Sequence, residues 1–348
     1  AILGTGETDD DNKAHELADK VWTIIENSAA YGFNSAHAYC MAIDSVTIAY
    51  LKAHYPLEFY KCVLQRFTDK GEKDKVALIK QEMLKRGYKL KDIQFGDDNR
   101  SFNIDRANNC IVQTMASIKD MPKSAPEALY ELGKSDIKNR AALYQALMDD
   151  PRINKKAIEI LFHLGYFDKF AQPNRLIAEY EIYQKYISVK VLTKSSFDDI
   201  MIDVIRPCCG KETEKQFREI DNRALITALI KQANIKPTTI VDRIKWQLEY
   251  LGYCTVNDPN SDPNDWLVLD VKTTGYGTVY ITGYNLCYGA ERTYRANKKF
   301  WTNHQLSKGD VARVVLQEKN KMKKDENGEW VTLNEKIIEM KCWKKLEV

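Results

Sequence analysis

Four clusters in the sequence pair cations or aromatic rings with chain geometry suited to phosphates or bases. The first is Asn34, His37 and Lys52. Asn34 follows a glycine break at Gly32 and can cap a helix, whose opening turn aims free amides and a positive dipole end at an anion. His37 and Lys52 add donors there. The second is the turn-like run Ile118-Lys119-Asp120-Met121-Pro122-Lys123-Ser124-Ala125, with Lys119, Lys123 and Ser124 as candidate anion contacts. The third is Lys155 and Lys156, placed after Asn154 at the head of an apolar-periodic stretch. The fourth is carboxy-terminal, where Tyr280 and Tyr284 alternate with Val279 and Ile281. On a strand, one face of that pattern fills a core and the other offers rings to bases. Lys272, Arg292, Tyr294, Arg295, Lys298, Lys299 and Trp301 surround it, and Lys319 to Lys324 form a basic run. Each cluster has a plainer structural reading: a helical hairpin with His37 a satisfied polar residue, a packing turn, a solvated cationic face, and aromatics that pack inside a small barrel. No Ser/His/Asp set, Walker loop or Gly-x-Gly-x-x-Gly fingerprint is present.

The elements that must position these residues change character along the chain. Residues 13 to 66 read as helices, broken at Gly32 and again before Pro56. A charged stretch follows, with a helix expected at about 73 to 87 and a short strand near Asp92 to Phe95. Residues 101 to 170 carry three apolar stripes, on Ala128/Leu129/Leu132, on Ala141/Leu143/Tyr144/Leu147, and on Ala157/Ile158/Ile160/Leu161/Leu164. Residues 174 to 250 continue mainly helical, with a break at 206 to 210. The run Asn257 to Asp265 holds two prolines, three aspartates and a serine among three asparagines, and is the clearest linker. Beyond it the period becomes two: Trp266 to Val271, Thr278 to Tyr284, Val311 to Glu318 and Lys336 to Trp343 read as strands of a small barrel.

Bulk properties bound the possibilities. The chain has 348 residues, 44% hydrophobic and 29% charged, with a net charge of +3. Nucleic-acid contact must therefore come from local patches. Mean hydropathy is −0.47 and no apolar run approaches membrane-spanning length, so a membrane partner is not expected. Eight cysteines without a Cys-x-x-Cys pair read as free thiols in a reducing cytoplasm. Cys208-Cys209-Gly210 reads as a turn after Pro207 rather than a metal knuckle. The lack of an initiator Met suggests a fragment or a processed chain.

Tyr31-Gly32-Phe33-Asn34, His37-Ala38 and the whole run Tyr50-Leu51-Lys52-Ala53-His54-Tyr55-Pro56-Leu57-Glu58-Phe59 resemble the fingers of bacterial C-family replicative DNA polymerases, the DNA polymerase III alpha type. Ser35 and Ala36 stand where that family has Lys and Ser, which weakens any direct hold on a triphosphate. The 118–125 run resembles the family's helix-hairpin-helix turn, with Asp120 and Pro122 replacing its two glycines. Those glycines allow backbone amides to approach DNA phosphate, so this turn should keep its shape and grip phosphate poorly. Asn154 to Asp168 resembles the stretch that closes the tandem hairpin region.

The resemblance implies a multidomain α+β chain: all-α helical fingers and helix-hairpin-helix regions, then a small all-β OB-like barrel. The expected domains are 1–68, end of the fingers; 69–100, charged connector; 101–172, degenerate tandem helix-hairpin-helix; 173–256, helical connector; and 257–348, barrel. The implied nucleotide-pocket residues are Asn34, His37 and Lys52. The expected DNA contacts are Lys119, Lys123, Ser124, Lys155, Lys156, Lys272, Tyr280, Tyr284, Arg292, Lys298, Lys299 and Trp301. The Pro-Asp-Ile-Asp-x-Asp-Phe context of family palms is missing, so the parent enzyme's Mg²⁺ would be held by a palm outside this sequence, with no cofactor here and no polymerisation by this chain alone. Implied partners are primer-template and single-stranded DNA, the palm-bearing remainder of the polymerase, and a sliding clamp or other replisome proteins. Gln145 to Asp149 is a poor clamp motif. Divergence from cellular versions suggests a phage or otherwise fast-evolving member. The competing reading is a non-enzymatic single-stranded-DNA-binding or replisome scaffold protein.

Overall fold

The computed structural model describes residues 11–30, 35–275, 277–296, 301, 305–324 and 330–346. The chain divides into two compact units, Ala1–Tyr60 and Lys61–Val348. The first holds α1 (Asp11–Ala30), α2 (Ser35–His54) and the opening of α3 (Pro56–Asp69). Pro56 starts α3 because its missing amide is harmless in a first turn. The apolar residues of α2 are spread around the helix rather than gathered on one side, and every residue from Ala36 to Leu51 is exposed. A helix that is apolar all round normally lies in an interior.

The second unit begins with α4 (Lys73–Lys85) and a small sheet of β1 (Lys89–Lys91), β2 (Asn103–Asp105) and β3 (Cys110–Val112), in the order β1-β3-β2. The expected strand near Asp92 thus lies a few residues earlier. Helices α5 (Ala125–Lys134), α6 (Arg140–Asp149) and α7 (Lys155–His163) carry the three apolar stripes, with Asn139 and Asn154 capping α6 and α7. They share a core with α8 (Pro173–Tyr186) and α10 (Asn222–Gln232), in which Leu129, Leu143, Leu161, Leu176 and Leu225 are fully buried. Between α8 and α10 lie α9 (Asp199–Ile205) and a sheet β4-β6-β5 (Val191–Thr193, Gln216–Ile220 and Cys209–Glu212). The mainly helical expectation for this region misses that sheet, whose strands are too short to show a period. α11 (Ile240–Leu251) opens with a reciprocal Thr239–Asp242 capping box and ends at Gly252 in the left-handed region, φ +74°.

The carboxy-terminal strands are β7 (Asp265–Thr273), β8 (Val279–Asn285), β9 (Glu291–Arg295), β10 (Val311–Lys324) and β11 (Trp330–Leu346). They close into a barrel in the order β10-β11-β9-β8-β7, so the fold is α+β with an OB-like barrel. Each strand sends one fully buried side chain to the centre: Val268, Ile281, Tyr294, Val314 and Met340. β10 and β11 continue past the barrel as a two-stranded ribbon, paired through Lys324↔Trp330. No described helix is long and apolar enough to cross a membrane. All eight cysteines are free.

A buried polar network sits between α4, β3 and the segment after α11. The Lys80 ammonium donates to Gln113 Oε1 and to Ser117 Oγ, both at 2.8 Å, and lies over the rings of Phe102 and Tyr253. Gln113 Nε2 donates to Asp92 Oδ1 at 3.0 Å, and the Tyr253 hydroxyl donates to Gln113 Oε1. Burial pushes Lys80 down to about 7, although nearby Asp92 opposes the shift. Above that value the unfolded chain holds a proton that the folded chain does not, so stability must rise with pH up to the usual lysine range. Between pH 7 and about 8.5, before thiols titrate, the wild type should gain stability with a slope approaching roughly 1.4 kcal/mol per pH unit relative to Lys80→Met. Urea denaturation across that window checks this; parallel curves for the two proteins would show that Lys80 keeps its proton.

Candidate nucleic-acid interface

Register decides which side chains of the barrel can act together. On β8, Tyr280 stands opposite Lys272 of β7 and opposite Arg295 of β9. Directly paired residues share a face, so one rung presents a ring between two cations. Tyr280 is 40% exposed, enough to offer one side of its ring. The next rung places the Thr282 and Thr293 hydroxyls 2.9 Å apart on the same face. Lys321 of the ribbon lies within electrostatic reach of Tyr280 and pairs with Glu335 at 2.7 Å. Lys272 pairs with Asp270 at 3.2 Å, and Glu339 takes both Arg295 and Lys319. The Lys272–Asp270 and Lys321–Glu335 pairs are largely exposed, and such pairs contribute little and can be exchanged for phosphate contacts, whereas the Glu339 carboxylate that holds Arg295 and Lys319 is buried. The face can therefore stack a base and hold the flanking phosphates.

The other expected barrel contacts fare differently. Tyr284 has the outward parity that alternation predicts, yet it is only 3% exposed. It packs with Val241 and Ile244 of α11 and with Leu267 and Leu286, and its hydroxyl donates to the Val256 carbonyl at 2.9 Å. Burial pushes its phenol well above the usual range. Tyr284 is a core residue, because α11 covers that end of the face. Arg292 is exposed but pairs opposite Gly283, on the alternate face from Tyr280. Trp301 is half-buried against the barrel core, so it packs rather than standing free. Lys298 and Lys299 lie outside the described residues.

The 118–125 run forms a tight turn before α5. Asp120 adopts φ +59°, a left-handed conformation that Asp tolerates better than most residues. Its groups, however, point to partners within the chain. The Lys119 amide donates to the Tyr250 carbonyl at 3.0 Å, and the Lys73 ammonium donates to the Ile118 carbonyl at 2.6 Å. Met121 donates its amide to the same carbonyl, and Pro122 has none to give. Burial draws Lys73 below its usual value, and the adjacent Asp120 carboxylate partly offsets this. The Ser124 hydroxyl donates to the Arg152 carbonyl at 3.0 Å, tying this turn to the one before α7. Lys119 and Lys123 project their side chains into solvent. Lys155 is exposed, while Lys156 pairs with Glu159 at 3.3 Å and lies over the Tyr250 ring.

In the first unit, Asn34 lies outside the described residues and His37 is exposed on α2. The Lys52 ammonium lies 5.7 Å from the ring centres of both Phe59 and Tyr60. Sequence reading did not single out Thr282 or Thr293, and placed Arg295 only nearby and Lys321 only within a basic run. A rung joins residues from separate strands, and no local pattern encodes it. Among the described residues, no three His, Cys, Asp or Glu side chains converge as metal ligands.

No protein-family model matches this chain. Among curated proteins, the DNA polymerase III subunit alpha of Campylobacter jejuni is 29% identical over 155 residues, covering 44% of this chain and 13% of that protein. The Escherichia coli K12 subunit is 29% identical over 166 residues, 46% of this chain and 14% of its own length. The Thermus aquaticus subunit is 30% identical over 173 residues, 48% and 13% respectively. The chain thus spans about one seventh of the length of these relatives. Close to half of the chain is thus similar to a region of DNA polymerase III subunit alpha.

The left-handed position 120 gives a direct test of the turn. Asp120→Gly should be more stable than Asp120→Ala by about 1 kcal/mol, since both lack the carboxylate and only Gly adopts φ +59° freely. Equal urea midpoints would mean that the turn does not hold this conformation in solution.

Proposed function

We propose that this chain is the nucleic-acid-handling portion of a C-family replicative DNA polymerase, comprising the end of the fingers, a degenerate helix-hairpin-helix region and a barrel that binds single-stranded template. The observation that carries the barrel's role is the Lys272–Tyr280–Arg295 rung, an exposed ring flanked by cations. Base stacking on such a ring tolerates any sequence, which suits a template strand of arbitrary composition. The similarity to DNA polymerase III subunit alpha supports the wider assignment.

The exposed, all-round apolar surface of α2 is, in this reading, where the palm-bearing remainder of the polymerase packs, and that remainder supplies the acidic residues for Mg²⁺. His37 and Lys52 then form part of the nucleotide-pocket wall. Lys119, Lys123 and Lys155 are side chains of the hairpin region open to a DNA backbone. The protein works in the cytoplasm with the replication machinery.

Fluorescence anisotropy with a labelled thymidine oligonucleotide at low salt tests the barrel's role. Tyr280→Ala should weaken binding by roughly 1–3 kcal/mol, and Lys272→Ala should reduce the salt dependence by about 0.7 in log–log slope. Arg292→Ala, on the other face, should leave affinity unchanged. No binding at low salt, or equal affinity for Tyr280→Ala and the wild type, would remove the barrel face from the assignment.

A further inference from the structure

The run that reads from sequence as a linker is bonded on both of its sides. On the helical side, the Thr255 hydroxyl donates to Gln247 Oε1 at 3.2 Å and to Asp92 Oδ2 at 3.4 Å, which continues the buried chain Lys80–Gln113–Asp92. The Thr255 amide donates to the same Gln247 oxygen at 2.8 Å. On the barrel side, Tyr284 of β8 donates to the Val256 carbonyl. The Asp258 amide donates to the Leu286 carbonyl at 2.8 Å, and Asn257 Nδ2 donates to the Cys287 carbonyl at the same distance. No stretch between α11 and β7 is left to act as a hinge.

The end of α11 is held equally closely. Gln81 Nε2 of α4 donates to the Gly252 carbonyl at 2.7 Å. A side-chain carbon added at Gly252 would come within 2.9 Å of the Ala77 Cβ, so α4 and the end of α11 are in direct contact. The Lys119 amide caps the Tyr250 carbonyl from the hairpin. Groups that a phosphate-gripping turn would leave open are thus directed inward, onto the helix that leads to the barrel.

We propose that α4, the Ile118–Pro122 turn and the segment Tyr253–Asp258 form a rigid joint that fixes the pose of the barrel on the helical body, so that the Tyr280 face is presented in one direction rather than swung on a tether. A buried polar network suits this task because its members are satisfied only in one arrangement; partial opening exposes unpaired groups in a low-dielectric interior. The inference does not depend on the nucleic-acid reading, and its test needs no ligand.

Hydrogen exchange followed by mass spectrometry on the full chain provides that test. Amides 253–258 of the wild type should be protected to a degree close to that of β7 and β8. Thr255→Val, which keeps the shape and removes the hydroxyl, should speed exchange in 253–258 by tenfold or more while β7 and β8 keep their protection. Lys80→Met should do the same; if it does not fold, Thr255→Val decides alone. Exchange of 253–258 in the wild type at the rate of a free peptide would overturn the joint, and so would unchanged protection in a folded Thr255→Val variant.

Discussion

An ammonium group removed from water must be met by dipoles, rings or a counter-charge, and Lys80 imposes that condition on everything around it. Its three proton positions, the two lone pairs of Gln113 Oε1 and the carboxylate of Asp92 are matched only when α4, β3 and the segment after α11 sit together. Hydrophobic packing tolerates small slips, because dispersion has little direction. Hydrogen bonds around a buried charge do not, and this is why a network of five polar side chains can set register between α4, β3 and the segment after α11. The second unit is organised about that point: apolar helices on one side, a closed barrel on the other, and directional bonds between.

The same logic governs the Ile118–Pro122 turn. Asp120 takes its left-handed position, Lys73 occupies the Ile118 carbonyl, and the end of α11 takes the Lys119 amide. The polar groups of this turn are thus satisfied by partners within the chain. An exposed ring flanked by cations lies on the barrel instead. There the parity of β8 sets Tyr280 outward, and the pairing of β7 and β9 supplies its cations. The exposed Tyr280 face is an outcome of strand register more than of local motif.

Much of this architecture was legible residue by residue. Gly32 and Pro56 bracket α2, three stripes at helical spacing mark α5 to α7, and alternation marks β7, β8, β10 and β11. What escaped were strands of three to five residues. β9, Glu291-Arg292-Thr293-Tyr294-Arg295, has a single ring on its inner side, and β1 to β6 are each too short for a period to be seen. Such strands are held by partners distant in sequence, as β1 is by β3. Lys80 also escaped, because a lysine in a charge-rich amphipathic helix normally faces water.

Local patterning by itself determined the succession of helices, the switch to strands near residue 265, and the pair of outward tyrosines on β8. Backbone geometry forces these, since a period of 3.6 or 2 puts the same residues on one side whatever lies beyond. Only tertiary structure decided that Tyr284 is roofed by α11 while Tyr280 stays open, that Arg295 and not Arg292 flanks the ring, and that Lys80 is interior. Those outcomes depend on which distant segment folds back over a given face, and a periodic pattern carries no record of its cover.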